Sequence, residues 1–191
     1  MSIEFEDHPF WDYACAVYGR EGVSPALIAM QDRHGLDVNI LLLCLWVSHS
    51  GRGVLADGEL DHVLAVSASW NPAIVCGLRQ LRVRLRDGVA RVPREHSDAI
   101  RKRILETEID AEHVEQLALV AGLAGHEDTT RPVEQRFGDC LVNLSLYFDR
   151  RGLVPTATDR DDLTTVLVAA FPDTDQEGVR SRVEECFENP Q

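Results

Sequence analysis

Ile40-Leu41-Leu42-Leu43-Cys44-Leu45-Trp46-Val47 is an unbroken apolar run, and it follows directly on the polar cluster Gln31, Asp32, His34, Gly35, Asp37 and Asn39. A helix that is apolar on every side has no face to offer water, so it belongs inside a fold. The run therefore predicts a central buried helix near residues 37–48, reached through a tight polar turn. A membrane span needs about 20 apolar residues to cross roughly 30 Å of hydrocarbon, and this run is too short for one.

Around that run the apolar residues recur at spacings of three and four, and strand signals are scarce. A first helix is expected from Pro9 to Arg20, with Phe10, Tyr13, Ala14, Val17 and Tyr18 on its inner side. Ser24-Pro25 reads as an N-cap followed by proline at the first helical position, opening a helix that Gly35 ends. Asp37 caps the apolar helix, and Asp57 begins a fourth. Asn71-Pro72 repeats the cap-then-proline signal for a fifth, in which Ile74, Leu78, Leu81 and Leu85 form an apolar stripe beside a cationic stripe of Arg79, Arg82 and Arg86. The sixth helix, Ser97 to Ala121, is expected to pack through Ile100, Ile104, Thr107, Ala111, Val114, Ala118 and Ala121. The seventh, Val133 to Arg150, should bury Phe137, Leu141, Leu144 and Phe148. Two shorter helices end the chain, one near 161–171 and one opened by a Thr174-x-x-Glu177 capping box. The expectation is an all-α, single compact bundle of about eight or nine helices, with a main domain over residues 1–152 and a two-helix extension over 153–191 packed on it.

Charge bounds the function classes. The 191 residues carry a net charge of −13, which argues against a general affinity for nucleic acid or anionic membranes. Arg79 to Arg103 holds nine basic residues against three acidic ones, a local +6 that leaves −19 for the rest. Lys102 is the one lysine, and arginine's planar fork suits carboxylate and phosphate contacts. Cys15, Cys44, Cys76, Cys140 and Cys186 are far apart and never in a Cys-x-x-Cys pair, so buried free thiols are expected in preference to disulfides or a zinc site. Residues 1–12 lack the basic and apolar regions of a signal peptide, and a cytoplasmic location is the expectation.

The stretch Gln-Asp-Arg-His-Gly-Leu-Asp-Val-Asn-Ile-Leu-Leu-Leu-Cys-Leu-Trp, residues 31–46, resembles the signature region of a bacterial family known only as domain of unknown function 2390. Phe10-Trp11 with Tyr18, and Leu78-Arg79-Gln80-Leu81-Arg82 followed by Glu108 and Glu112, are similar to that family as well. The resemblance spans about residues 8–150. It implies a bacterial cytoplasmic protein and supplies no mechanism.

Three constellations merit a structural test. Gln31, His34, Asp37, Asn39 and Trp46 either form a ligand pocket or divide between helix caps and a buried amide. Arg79, Arg82 and Arg86 either dock an acidic protein partner, contact phosphate or pair with internal carboxylates. Glu59-x-x-His62 and Asp110-x-x-His113 have the spacing of a metal-ligating pair in a helical bundle, although no cofactor is expected. No nucleophile elbow or phosphate loop is present. The reading that follows is a non-catalytic, macromolecule-binding protein acting through the arginine-edged helix. The alternative is a small-molecule-binding protein or enzyme using the polar cluster, with or without a metal.

Overall fold

The computed structural model describes residues 5–188. Among the described residues there are nine α-helices and no strand: α1 (Pro9–Tyr18), α2 (Val23–His34), α3 (Val38–His49), α4 (Asp57–Trp70), α5 (Cys76–Arg84), α6 (Arg94–Val120), α7 (Val133–Arg150), α8 (Ala157–Ala170) and α9 (Gln176–Glu188). No described helix is long and apolar enough to cross a membrane. The fold is all-α, as the periodicity predicts.

Helix α3 is the centre. Every residue from Asn39 to Ser48 is buried, and α1, α2, α6, α7 and α8 all pack on it. Its apolar surface meets Phe10 and Leu27 on one side and Phe137, Leu144 and Phe148 on another, in one continuous core. A helix buried all round must have its end groups satisfied from within the protein. At the leading end, Asp37 Oδ1 accepts from the Asn39 amide (2.9 Å), and the Asp37 amide donates to the Tyr147 hydroxyl (2.9 Å). At the trailing end the fully buried Asn143 of α7 donates to Ser48 Oγ (3.0 Å) and the Gly53 carbonyl (3.1 Å) while accepting from the Leu55 amide (2.8 Å). Gly51 turns there with φ of +79°, and a Cβ on it would stand 1.9 Å from the Asp128 carbonyl oxygen.

Several boundaries differ from the sequence expectation. Helix α2 starts at Val23 behind Gly22, whose φ is +79°, so Ser24-Pro25 lies inside the first turn and is not the cap. Asn71-Pro72 does not open a new helix either. The chain runs from α4 through a π-helical turn, Asn71–Val75, into α5, and the Cys76 amide donates to the Asn71 carbonyl five residues back. Proline 72 has no amide to donate, and the wider turn absorbs that gap in the ladder. The stripe Ile74/Leu78/Leu81/Leu85 is not a core edge: Ile74 and Leu81 are 39% and 50% exposed, and α5 buries no residue fully. Helix α5 turns Arg79 and Arg82 inward instead and leaves Arg84 exposed. Of the apolar seam expected from Ile100 to Ala121, helix α6 fully buries Ala111, and its other buried residues are Ser97, Glu108, Glu115, Gln116 and Leu119.

The C-terminal helices are tied to α2 by one carboxylate. Asp159 accepts from Arg33 Nε (2.9 Å), lies 2.9 Å from His34 Nε2, and caps α8 by accepting from the Thr156 amide (2.8 Å). Despite its burial, these partners hold the Asp159 carboxyl down at about 2. Helix α8 packs on α2, and α9 packs on α7 and α8 through Val179, Val183 and Phe187.

Asn143→Ala is expected to cost about 3 kcal/mol in urea unfolding, since it strands a buried amide, a carbonyl and a hydroxyl at once. A loss below about 1 kcal/mol would show that another contact holds the turn after α3.

Candidate functional site

The inward turn of α5 has an electrostatic cause. Arg79 and Arg82, three residues apart, lie on one face of α5. Glu108 and Glu112, four apart, lie on the facing side of α6. Arg79 donates through Nε to Glu108 Oε1 (2.9 Å) and through Nη2 to Glu112 Oε1 (2.7 Å), and its Nη1 reaches Gln31 Oε1 on α2 (2.6 Å). Arg82 donates to both oxygens of Glu108, so this carboxylate, buried to 3% exposure, accepts from two guanidinium groups. Burial raises the Glu108 carboxyl, but the hydrogen bonds from Arg82 and Arg79 outweigh it and hold the group below the ordinary glutamate value. Glu112 goes the other way: burial raises it beyond what Arg79 compensates. A buried ion pair stabilises only when both partners are well hydrogen-bonded, and Glu108 meets that condition.

One turn further along α6 the polar chain continues without cations. Glu115, fully buried, accepts at Oε2 from Asn39 Nδ2 (2.7 Å) and from Asn71 Nδ2 (3.1 Å). The π-helical turn is what brings Asn71 to this place. Gln116 Nε2 donates to Asn39 Oδ1 (2.8 Å), and Ser67 Oγ donates to Asp37 Oδ2 (2.6 Å). Burial, and then the charge of Asp37, push the Glu115 carboxyl up to about 8. Its Oε1 meets no donor, and a proton on the group turns that orphan acceptor into a donor toward Asp37.

Above this network lies a cleft of about 610 Å³. One wall is α1 and α2, with Trp11, Ala14, Cys15, Tyr18 and Ile28; the other is α5 and α6, with Val83, Leu105 and Ile109. The floor is Asp37, Asn39, Leu42, Asn71 and Gln116, and the ladder of Gln31, Arg79, Glu108 and Glu112 runs along it with Arg82 and Arg86 at the α5 side. The arrangement is an apolar-walled slot over a buried polar base.

The predicted residues divide sharply. Gln31, Asp37 and Asn39 line this cleft, and Asp37 also caps α3. His34 points the other way, to Asp159 of α8. Trp46 packs against Phe10 (5.3 Å between ring centroids) under the Arg52 guanidinium and is outside the cleft. Arg79 and Arg82 are engaged by Glu108 and Glu112, whereas Arg86 is exposed at the cleft edge. Glu59 accepts from the amides of Ala56 and Ala124, and His62 lies against the Ala118 carbonyl. His113 stacks on Trp11 at 4.2 Å. Among the described residues no three side chains of His, Cys, Asp or Glu are grouped to hold a metal ion. The sequence does not single out Glu115 and Gln116, because charged and amide residues on a long helix read as solvent-facing, and it offers Asn71 only as a helix cap.

Stability should fall as pH rises from about 4.5, where the unfolded glutamate ionises, to about 8, where the folded Glu115 does. Glu115→Gln mimics the protonated acid and should flatten that slope, making the variant the more stable form at pH 8 and erasing the difference below about pH 4. Parallel pH profiles for both proteins would mean that Glu115 is ionised in the folded state.

No curated protein and no solved structure matches the chain. A match to a protein family covers residues 9–119, narrower than the stretch of about 8–150 expected from the resemblance, and every residue lining the cleft, from Trp11 to Gln116, falls inside it. That match, over more than half of the 191 residues, is to the family described as Protein of unknown function (DUF2390), and the chain belongs to it.

Proposed function

We propose that this chain is a small-molecule-binding protein whose ligand lies in the cleft between α1/α2 and α5/α6. The observation that carries the reading is the pairing of aliphatic and aromatic walls with a buried polar floor in a volume of about 610 Å³. Ligand pockets have that size and composition, with a few fixed polar groups giving orientation to an otherwise apolar site. The floor is preorganised: Asn39, Asn71, Gln116 and Glu115 hold one another in place. A site on helices braced by such a network keeps its geometry without a ligand. The location of the whole slot within the matched residues 9–119 agrees with a role common to the family.

A second reading, docking of an acidic protein partner, is favoured by a separate observation. Of the large hydrophobic side chains exposed on the described residues, Ile74, Leu81, Val89, Val92 and Ile100 lie outside the cleft lining, on the same α5–α6 arm that carries the exposed Arg84, Arg86, Arg91, Lys102 and Arg103. An apolar patch rimmed by charge is a common mark of a protein interface. This reading rests on the outer face of the arm and no longer on Arg79 and Arg82. The cleft reading is preferred because its polar floor is buried and organised, which docking on the outer face does not require.

Screening the protein against a metabolite library by thermal unfolding tests the preference. A cognate ligand at about 100 times its Kd adds about 2.7 kcal/mol, which at this chain length raises Tm by roughly 5–10 °C. Ile109→Arg, at a 43% exposed position on the cleft wall, should leave the unliganded Tm unchanged and abolish the shift. A library without a hit, or a shift indifferent to Ile109→Arg, contradicts the cleft as the binding site.

A further inference from the structure

The polar floor has a definite hydrogen-bond polarity. Glu115 Oε2 accepts from Asn39 Nδ2, so the Asn39 amide faces Gln116 with its Oδ1, and Gln116 must answer with Nε2. This relay leaves Gln116 Oε1 as a buried acceptor without a partner, on a residue that is 4% exposed and lines the cleft. Buried polar atoms are almost always hydrogen-bonded, so an orphan acceptor in a cleft floor marks where a ligand donates. The charged groups near it are also acceptors. Glu112 uses one oxygen on Arg79, and the Arg79 guanidinium is already shared among Glu108, Glu112 and Gln31. Asp37 brings a further carboxylate to the same floor. These carboxylates do not converge on a metal geometry among the described residues, and the walls beside them are aliphatic.

Resting on the small-molecule reading above, we propose that the cleft takes an aliphatic monoamine: its ammonium donates to Gln116 Oε1 and faces Glu112 and Asp37, and its hydrocarbon chain lies along Ile109 toward Leu105. The distance along α6 from Gln116 to Ile109 is about 10 Å at 1.5 Å per residue, which suits an eight-carbon chain. A second cation at the far end is disfavoured, because Arg82 and Arg86 stand there. The amine also relieves an imbalance. Burial raises both Glu112 and Glu115, and the charged groups that face them are Asp37 from the start of α3, Glu108 on α6 and Arg79 from α5. An added positive charge favours the ionised acids, so binding should release a proton near neutral pH.

Titration calorimetry on the full chain with n-octylamine, octanol, octanoate and 1,8-diaminooctane tests the proposal. Octylamine should bind roughly tenfold or more tightly than each of the other three, with a buffer-dependent heat that reports proton release. Gln116→Leu, folded by circular dichroism, should lose roughly tenfold in octylamine affinity. Should that variant fail to fold, Glu112→Gln, which retains an acceptor for Arg79, should show a comparable loss. Equal or tighter binding of octanol, octanoate or the diamine, suppressed by Ile109→Arg, overturns the amine assignment and leaves the cleft standing. Absence of binding by octylamine overturns the assignment outright, and the library screen then decides the cleft separately.

Discussion

Helix α3 is apolar on every side, so nothing about its ends can be left to water. That constraint organises both of its termini. At the trailing end one asparagine, Asn143, closes a turn by three hydrogen bonds. At the leading end the demand is larger, because Asn39 places a full amide one residue inside the buried helix. Its two polar atoms require partners of opposite type, and α6 supplies them as Glu115 and Gln116 on successive positions. The cleft floor is thus a by-product of capping the core helix, and its leftover acceptor is the feature on which a function can be built.

The α5–α6 arm shows how charge can replace apolar packing. Glu108 is as buried as a core leucine, and it is tolerated there because Arg79 and Arg82 between them saturate its oxygens. Bidentate arginine contacts are the geometry in which such burial is least costly. With its inner face given to this ladder, the arm leaves Leu81, Val83, Ile100, Leu105 and Ile109 facing outward or into the cleft. The local charge of +6 over Arg79–Arg103 is therefore partly internal: two of its arginines neutralise acids of α6, and the exposed remainder stays on the outer arm. Removal of those two cations from the surface is what shifts the functional reading from the arginine stripe to the cleft.

How much of this was legible depended on whether the physics was local. The buried helix near 37–48, the Asp37 cap and the all-helical class follow from short-range patterns, and the structure has them. Glycine and proline signals marked true boundaries less reliably: Asn71-Pro72 sits in a π-helical turn because the ladder can widen around a missing amide, which a cap-then-proline pattern does not reveal. His34 lost its place in the pocket to a contact 125 residues away with Asp159. Glu108, Glu115 and Gln116 do recur at helical spacing with Ala111 and Leu119, yet their burial depends on arginine and amide partners from α3, α4 and α5 ends that only the tertiary fold brings near. The resemblance singled out Arg79 and Arg82, and later Glu108 and Glu112, as successive motifs, but only the packing of α5 on α6 turns them into partners.

Cys15 gives the most direct probe of the central claim, that a ligand occupies the slot above the Asn39/Gln116 floor. It lines the cleft and is the exposed one among the five cysteines, all of which are free thiols. Its alkylation by iodoacetamide at pH 8.5, followed by peptide mass spectrometry, should slow saturably as n-octylamine is added, because the bound chain covers the thiol. An alkylation rate at Cys15 that stays constant up to saturating amine would contradict the account.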